Sequence, residues 1–260
     1  MADRKPDPVS TCLTDVTKPC PRDGSSDAIF VEACVVNVQL SSNESAILVR
    51  SRFLSRLPQS AVEAILKSVT VSTYEEQDVL FRQGEPIDDV FFVLSGIARL
   101  YRTGKEGREA DVALLSKGEM FAETAMFLGR RATASAAVAE RSVIARLDGR
   151  KLRQLAATDH EVAQALIEHL CYRGKMTEDI LAEDRLLTGP QRVASFILSH
   201  GPKDSTSFSF RLPFQKNVLA GKLGLAPEGL SRAFSALRQS GVMVKGRIIE
   251  VYDRHALERL

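Results

Sequence analysis

The segment with the clearest capacity for chemistry lies near the C-terminus and contains Glu228, Ser231 and Arg232. Residues at positions i, i+3 and i+4 share one face of a helix, so these three side chains would project together. Arginine can donate to the N7 and O6 atoms of guanine, glutamate can accept from a base amine, and serine can do either. An exposed Glu–Arg pair is also common on ordinary helices, so the spacing alone leaves both interpretations open.

The flanking residues 218–237 predict two helices joined by a tight turn. Ala220 is small enough for the helices to approach each other, and Gly224 suits a turn that needs positive φ. Pro227 fits the first turn of the second helix, where a missing N–H costs nothing. One apolar face follows at Leu230, Phe234 and Leu237. In a helix-turn-helix, the N-terminal part of the second helix enters the major groove, and Glu228, Ser231 and Arg232 occupy that part.

The charge of the C-terminal region supports a polyanion partner. Residues 205–260 contain nine Lys or Arg and four Asp or Glu, a net charge of +5, whereas the whole chain carries only +2. A basic module on a nearly neutral chain is typical of nucleic-acid binding, but charge alone fits a solvated basic surface equally well. Together with the turn glycine and the paired apolar faces, it leads us to expect double-stranded DNA as the partner. Residues 242–251 predict a short hairpin wing. Lys245 and Arg247 at its tip are placed to contact phosphates, or they are simply solvated turn residues.

Residues 69–147 show a different pattern, in which short apolar runs alternate with turns that contain glycine. Strands with turns about every ten residues are typical of an antiparallel barrel or roll. Helical spacing returns at residues 159–187, which would form a helix ~40 Å long at 1.5 Å per residue. Its apolar stripe comprises Val162, Leu166, Leu170, Met176, Ile180 and Leu187. Such a stripe favours pairing with a second copy of the helix, and the alternative is packing wholly on the barrel of the same chain.

These patterns together predict an α+β protein with four parts. Residues 1–46 read as a disordered extension, residues 47–158 as the β-domain with short leading helices at 47–57 and after Pro58, residues 159–187 as the dimerisation helix, and residues 188–260 as the winged helix-turn-helix. No apolar run reaches the roughly 18–20 residues of a membrane span, and the N-terminus lacks a secretory signal. We therefore expect a cytoplasmic protein that makes no membrane contact and whose cysteines stay reduced.

The order of parts resembles the cyclic-AMP receptor protein and fumarate-nitrate-reduction regulator family of bacteria over about residues 50–260. The matching motifs are Leu80-Phe81-Arg82-Gln83-Gly84-Glu85, Ser95-Gly96, Phe121-Ala122-Glu123, Arg131-Ala132-Thr133-Ala134 and Pro227-Glu228-Gly229-Leu230-Ser231-Arg232. The resemblance implies a β-roll sensor domain resembling cyclic-nucleotide-binding domains, a dimerisation helix, a winged helix, and activation of transcription with RNA polymerase. The recognition motif is similar to that of nitric-oxide-responsive denitrification regulators, which implies a TTGAT-like inverted repeat.

The effector is less well defined by the same resemblance. Cyclic-nucleotide binders of the family carry glycine before the glutamate of the phosphate cassette, and this chain has Ala122 there. Glu123 for a ribose, Arg130 or Arg131 for a phosphate, and Thr133 beside them define a candidate effector pocket. The alternative is a remnant pocket with surface charges around it, and cyclic AMP is not the expected ligand.

The cofactor candidates are a haem and an iron–sulfur cluster. Cys12, Cys20 and Cys34 are too scattered for the closely spaced cysteine set of the oxygen-sensing branch, and Cys171 lies on the long helix, so a cluster is not expected. The possible haem ligands are Cys20, His160 and His169, and no metal site is predicted from the ligand spacing.

Two other function classes compete with the DNA-binding regulator. The first is a cyclic-nucleotide-binding module that acts on a protein partner, and the basic C-terminal face argues against it. The second is an enzyme, and the sequence offers no pairing of nucleophile and base, metal-ligand spacing or phosphate loop to support it.

Overall fold

The computed structural model describes residues 40–107, 109–202, 204–212 and 214–260. The chain opens with helix α1 (Ser42–Val49), whose N-terminus is fixed by a capping box between Ser41 and Glu44. The boundary of the expected disordered extension at residue 46 is therefore wrong, because this capping box starts a helix at Ser42. The rest of that extension lies outside the described residues.

The helix expected over residues 47–57 is also shorter than predicted. After α1 the chain makes only a single 3-10 turn (Leu54–Arg56), because the buried Ser51 hydroxyl accepts from the backbone N–H of Leu54 at 3.2 Å and redirects the chain. Helix α2 (Gln59–Leu66) then begins directly after Pro58.

The β-domain is the predicted antiparallel roll. Its strands are β1 (Thr70–Tyr74), β2 (Val79–Phe81), β3 (Asp89–Ser95), β4 (Ala98–Thr103), β5 (Glu109–Leu115), β6 (Met120–Phe121), β7 (Ser135–Val138) and β8 (Ser142–Asp148). They form two four-stranded sheets in the orders β1-β8-β3-β6 and β2-β7-β4-β5. Phe81, Phe91 and Phe121 pack together in the core of the roll, with ring centroids 5.3–6.3 Å apart. The short helix α3 (Glu123–Phe127) follows β6, and α4 (Gly149–Thr158) follows β8.

The long helix α5 (His160–Leu186) has two different halves. Its first half packs on the roll through Val162, Ala165, Leu166 and His169, which are buried, and most residues after Gly174 are exposed. Val162 and Leu166 were predicted to belong to a seam with a second copy. Instead they join the core of their own domain, because the roll covers that face of the helix.

The C-terminal region has the predicted winged-helix order. Helix α6 (Gly189–His200) is followed by β9 (Phe208–Arg211), α7 (Lys216–Lys222), α8 (Pro227–Leu237), β10 (Val242–Lys245), β11 (Ile248–Val251) and α9 (Arg254–Glu258). The three strands form one antiparallel sheet in the order β10-β11-β9. Among the described residues, no helix is both long enough and apolar enough to cross a membrane.

Candidate DNA interface and effector pocket

Helix α8 has one buried face and one exposed face, as an amphipathic recognition helix requires. Leu230, Ala233, Phe234 and Leu237 are buried in the core of the winged helix. Glu228, Ser231 and Arg232 are all exposed and lie in the first two turns of the helix. The three predicted DNA-contacting side chains are therefore free to meet a ligand as one group.

The turn before α8 is held in the geometry that the sequence predicts. Gly224 has φ of +61°, a conformation that side chains other than glycine adopt only with strain. The N–H of Leu225 donates to the carbonyl of the buried Ala220 at 2.9 Å and closes the turn. Pro227 occupies the first turn of α8.

An arginine that the sequence analysis did not single out braces this turn. Arg192 on α6 donates from Nη1 to the carbonyl oxygen of Leu223 at 2.7 Å and also pairs with Asp184 near the end of α5. The end of the long helix is thus connected through one guanidinium to the loop that orients α8. The sequence gives no local signal for this contact, because the residues are 8 and 31 positions apart.

The wing places its two basic residues in different environments. Lys245 is exposed, and its Nζ lies 3.3 Å from a carboxylate oxygen of Glu250. Arg247 turns back instead, and its Nε and Nη2 donate to the carbonyl of Leu212 at 3.1 and 2.9 Å. Arg247 therefore braces the wing against β9, and the exposed charge at the tip belongs to Lys245.

The predicted effector pocket is small and already contains a charge pair. Glu123 is buried next to Ala122, whose φ is +69°, and Arg173 of α5 approaches its carboxylate with Nε at 3.5 Å. His169 Nε2 lies 3.7 Å from the same carboxylate oxygen. The cavity beside Glu123 has a volume of about 40 Å³, and Thr133 lines it. Pockets that hold drug-sized ligands measure about 300–1,000 Å³, so this cavity is too small for a nucleotide in the present conformation.

The two predicted phosphate-binding arginines do not line this cavity. Arg130 pairs with Asp88 at 3.2 Å, and Arg131 donates to the carbonyl of Gly84 at 2.8 Å. The structure therefore brings Glu123 and Thr133 together but directs both arginines to other partners. The residue that meets Glu123 is Arg173, which the sequence analysis missed although it lies one helical turn after His169.

The fold does not bring together the two haem-ligand candidates that the structure describes, His160 and His169. His160 is exposed at the first position of α5, His169 is buried, and Cys20 lies outside the described residues. No group of three or more His, Cys, Asp or Glu side chains that could hold a metal ion occurs within the part of the chain that the structure describes. Of the two described histidines, His169 lines a cavity, which is described below.

The sensor roll also contacts the helix-turn-helix of the same chain. Strand β5 packs against α7, and Ile97 and Leu114 of the roll join the apolar core of the winged helix. Asp111 of β5, which pairs with Arg99, lies directly against the backbone of Gly221 in α7. This contact gives the roll a direct route to the DNA-binding region.

Comparison with known proteins matches both domains. The cyclic nucleotide-binding domain family matches residues 71–159, and the Crp-like helix-turn-helix domain family matches residues 191–260. The chain is 23% identical over 219 residues to the CRP-like cAMP-activated global transcriptional regulator of Mycobacterium tuberculosis, covering 82% of this chain and 97% of that protein. It is 29% identical over 192 residues to the cyclic AMP receptor protein of Thermus thermophilus, covering 72% and 86%.

A solved structure gives the same result for the fold. FixK2 from Bradyrhizobium japonicum superposes with a TM-score of 0.63 and 25% identity, covering 74% of this chain and 96% of that one. With the two domain families matched in this order, the chain belongs to the Crp/Fnr family, whose members are transcription regulators and not enzymes.

Proposed function

We propose that the protein is a homodimeric, cytoplasmic activator that binds an inverted-repeat DNA site and responds to a small-molecule or gas signal sensed at the roll. The observation that carries this proposal is the exposed group of Glu228, Ser231 and Arg232 at the start of α8. Side chains at the N-terminal end of a recognition helix reach base edges, and the net charge of +5 over residues 205–260 attracts the backbone. A regulator of this kind acts with RNA polymerase at the promoter.

The exposed face of α5 supplies the surface for dimerisation. Ile167 and Leu181 are 60% and 47% exposed, although both are large apolar residues. Gly174 lies midway between them, at steps of seven residues, and nothing lies within 4 Å of the position its Cβ would take. A seven-residue apolar repeat is typical of a helix that pairs with a second copy, and the small Gly174 allows close approach.

The proposed DNA target is a TTGAT–spacer–ATCAA palindrome, as in regulators with a similar Glu-x-x-Ser-Arg motif. Two recognition helices related by a twofold axis reach successive major grooves about 34 Å apart, or roughly ten base pairs. The alternative, a nucleotide-binding module that acts only on a protein partner, would leave the exposed face of α8 without a role.

The effector is proposed to differ from cyclic AMP. The Glu123 carboxylate already faces Arg173, and the cavity beside it is about 40 Å³. An iron–sulfur cluster is likewise not proposed, because the candidate cysteines are scattered. If the signal is a gas, a haem bound through His169 is a second candidate for the sensing group. This candidate corresponds to the nitric-oxide-responsive type of regulator.

The test of the proposed function is selection of binding sites from random duplexes at physiological salt, followed by the variant Arg232→Ala. We expect recovery of an inverted repeat with half-site centres about ten base pairs apart. Arg232→Ala should weaken specific binding by about 1–3 kcal/mol and relax the choice at one guanine, because a bidentate contact is lost.

Lys245→Ala serves as the control, since a phosphate contact should affect all sequences alike. Recovery of a direct repeat, or equal losses for both variants on specific and random DNA, would contradict the proposed role of α8.

A further inference from the structure

A second cavity, separate from the pocket beside Glu123 and Thr133, lies between the long helix and the N-terminal face of the roll. It is lined by Arg52, Phe53, Gly118, Glu119, Met120, His169, Tyr172 and Arg173, and its volume is about 210 Å³. A cavity of this size has room for several waters or for one small organic molecule. Arg173 lines both cavities.

His169 is the feature that marks this cavity as a ligand site. The side chain is only 6% exposed, and neither ring nitrogen has a hydrogen-bond partner among the described residues. Its Nε2 atom lies 3.7 Å from a carboxylate oxygen of Glu123, beyond hydrogen-bond distance. Buried polar groups are almost always satisfied, because an unmet donor or acceptor is destabilising. The imidazole of His169 is therefore available to a molecule in the cavity.

The charges around the cavity favour an anion. Arg52 lies over the ring of Tyr172, 3.5 Å from its centroid, and no ion pair of Arg52 is found among the described residues. Glu119 adds one negative charge to the lining, and its Oε2 atom accepts from the N–H and the hydroxyl of Ser116 at 2.6 and 2.8 Å. The two guanidinium groups of the lining, from Arg52 and Arg173, outnumber this one carboxylate. Guanidinium groups bind carboxylates through two parallel hydrogen bonds, and Phe53, Met120 and Tyr172 offer apolar surface beside them.

We propose that this cavity binds a small organic carboxylate with a flat apolar body, held by Arg52 and His169. The ligand would connect Arg52 and Phe53, which lie between α1 and the 3-10 turn, to helix α5. It would thereby stabilise the packing of the long helix on the roll. Its regulatory consequence rests on the proposed function, because only a DNA-binding regulator would convert this packing into altered operator binding.

The test uses the full-length chain and sodium benzoate as the probe. Binding is followed by the NMR signals of the His169 ring, assigned by their loss in His169→Gln, with benzamide as the uncharged compound of the same shape. We expect a saturable shift with benzoate and binding about tenfold weaker with benzamide, because the charge-assisted hydrogen bonds are lost.

Arg52→Gln should weaken benzoate binding by about tenfold for the same reason, whereas Arg56→Gln, an exposed arginine that does not line the cavity, should leave it unchanged. No shift of the His169 ring, equal binding of benzamide, or equal losses in the two arginine variants would overturn the proposal. A haem absorption band that disappears in His169→Gln would also overturn the proposal, because it would show that His169 binds a haem instead of a carboxylate.

Operator binding is measured separately by mobility shift, with and without benzoate. Benzoate binding that changes operator affinity supports both the site and its regulatory role. Loss of all sequence-specific DNA binding in the unmodified protein would contradict the proposed function alone, because the NMR titration contains no DNA.

Discussion

At the scale of single residues, the wing shows how neighbouring groups set the DNA affinity. The ammonium group of Lys245 forms an ion pair with the carboxylate of Glu250, and the hydroxyl of Tyr252 donates to the same carboxylate at 2.8 Å. These hydrogen bonds, first from Tyr252 and then from Lys245, lower the pKa of Glu250. The carboxylate is therefore ionised at neutral pH, and a DNA phosphate must compete with it for Lys245.

We therefore predict that Glu250→Gln strengthens binding to all duplexes alike, by about two- to fivefold at low salt, because a repelling charge is removed and Lys245 is released. Lys245→Ala should act in the opposite direction and reduce the slope of log K against log salt by about one. Mobility shifts on specific and random duplexes at several salt concentrations measure both effects.

Glu258→Gln is the matched control, since it removes the same charge from α9, where Glu258 pairs with Arg254. Weaker binding by Glu250→Gln, or an effect as large in Glu258→Gln, would show that the wing does not approach the phosphates.

The roles of individual side chains were predictable only where they depend on local sequence. The exposed group on α8 and the positive φ of Gly224 follow from spacing and residue type within a few positions. For Arg247 the sequence leaves a phosphate contact and a solvated turn residue open, and its hydrogen bond to a carbonyl 35 residues away follows from no local pattern. The pairing of Glu123 with Arg173 was missed for the same reason.

At the scale of elements, the long helix and the winged helix were predicted well because caps and breakers fix their ends. Asp159 caps α5, and the Thr188–Gln191 capping box with Pro190 starts α6. In each helix the apolar pattern also continues over several turns. The start of α1 was misplaced although the capping box of Ser41 and Glu44 was readable. The spacing of apolar residues in α5 could not show which of them pack against the roll of the same chain.

That distinction leads to a prediction about the exposed half of α5. Leu181→Asp should weaken the dimer by about 3 kcal/mol, roughly a hundredfold in Kd, because an unpaired charge would enter an apolar seam. The measurement is the dissociation constant from sedimentation or light scattering over a dilution series.

Gln164→Asp introduces the same carboxylate at an exposed polar position of the same helix and should leave the dimer intact. If Leu181→Asp remains as dimeric as the unmodified chain, the second half of α5 is not the dimer interface.

At the scale of the whole molecule, several contacts join the roll and the long helix to the DNA-binding region, and two of them bear on the helix-turn-helix itself. One is the Asp184–Arg192–Leu223 connection between the long helix and the turn. The other is the face of β5 against α7, where an added Cβ at Gly221 would come within 2.8 Å of the Cγ atom of Asp111. Glycine at this helical position is therefore explained by the close packing of β5 against α7.

The final prediction tests this contact through two opposing effects at Gly221. Alanine favours a helix over glycine by about 0.8–1 kcal/mol, whereas overpacking costs about 1–3 kcal/mol. Because Arg99 holds Asp111 in place, we expect the steric effect to dominate, so that Gly221→Ala lowers the free energy of unfolding. In an Asp111→Ala background the clash is absent, and Gly221→Ala should stabilise the protein instead. In an Asp111→Asn background, which keeps the shape of the side chain, Gly221→Ala should still destabilise the protein.

Denaturant unfolding of the six proteins, with and without Gly221→Ala in each of the three backgrounds, measures the sign of the change in the free energy of unfolding. The same sign in all three backgrounds would show that β5 does not press on α7 in solution.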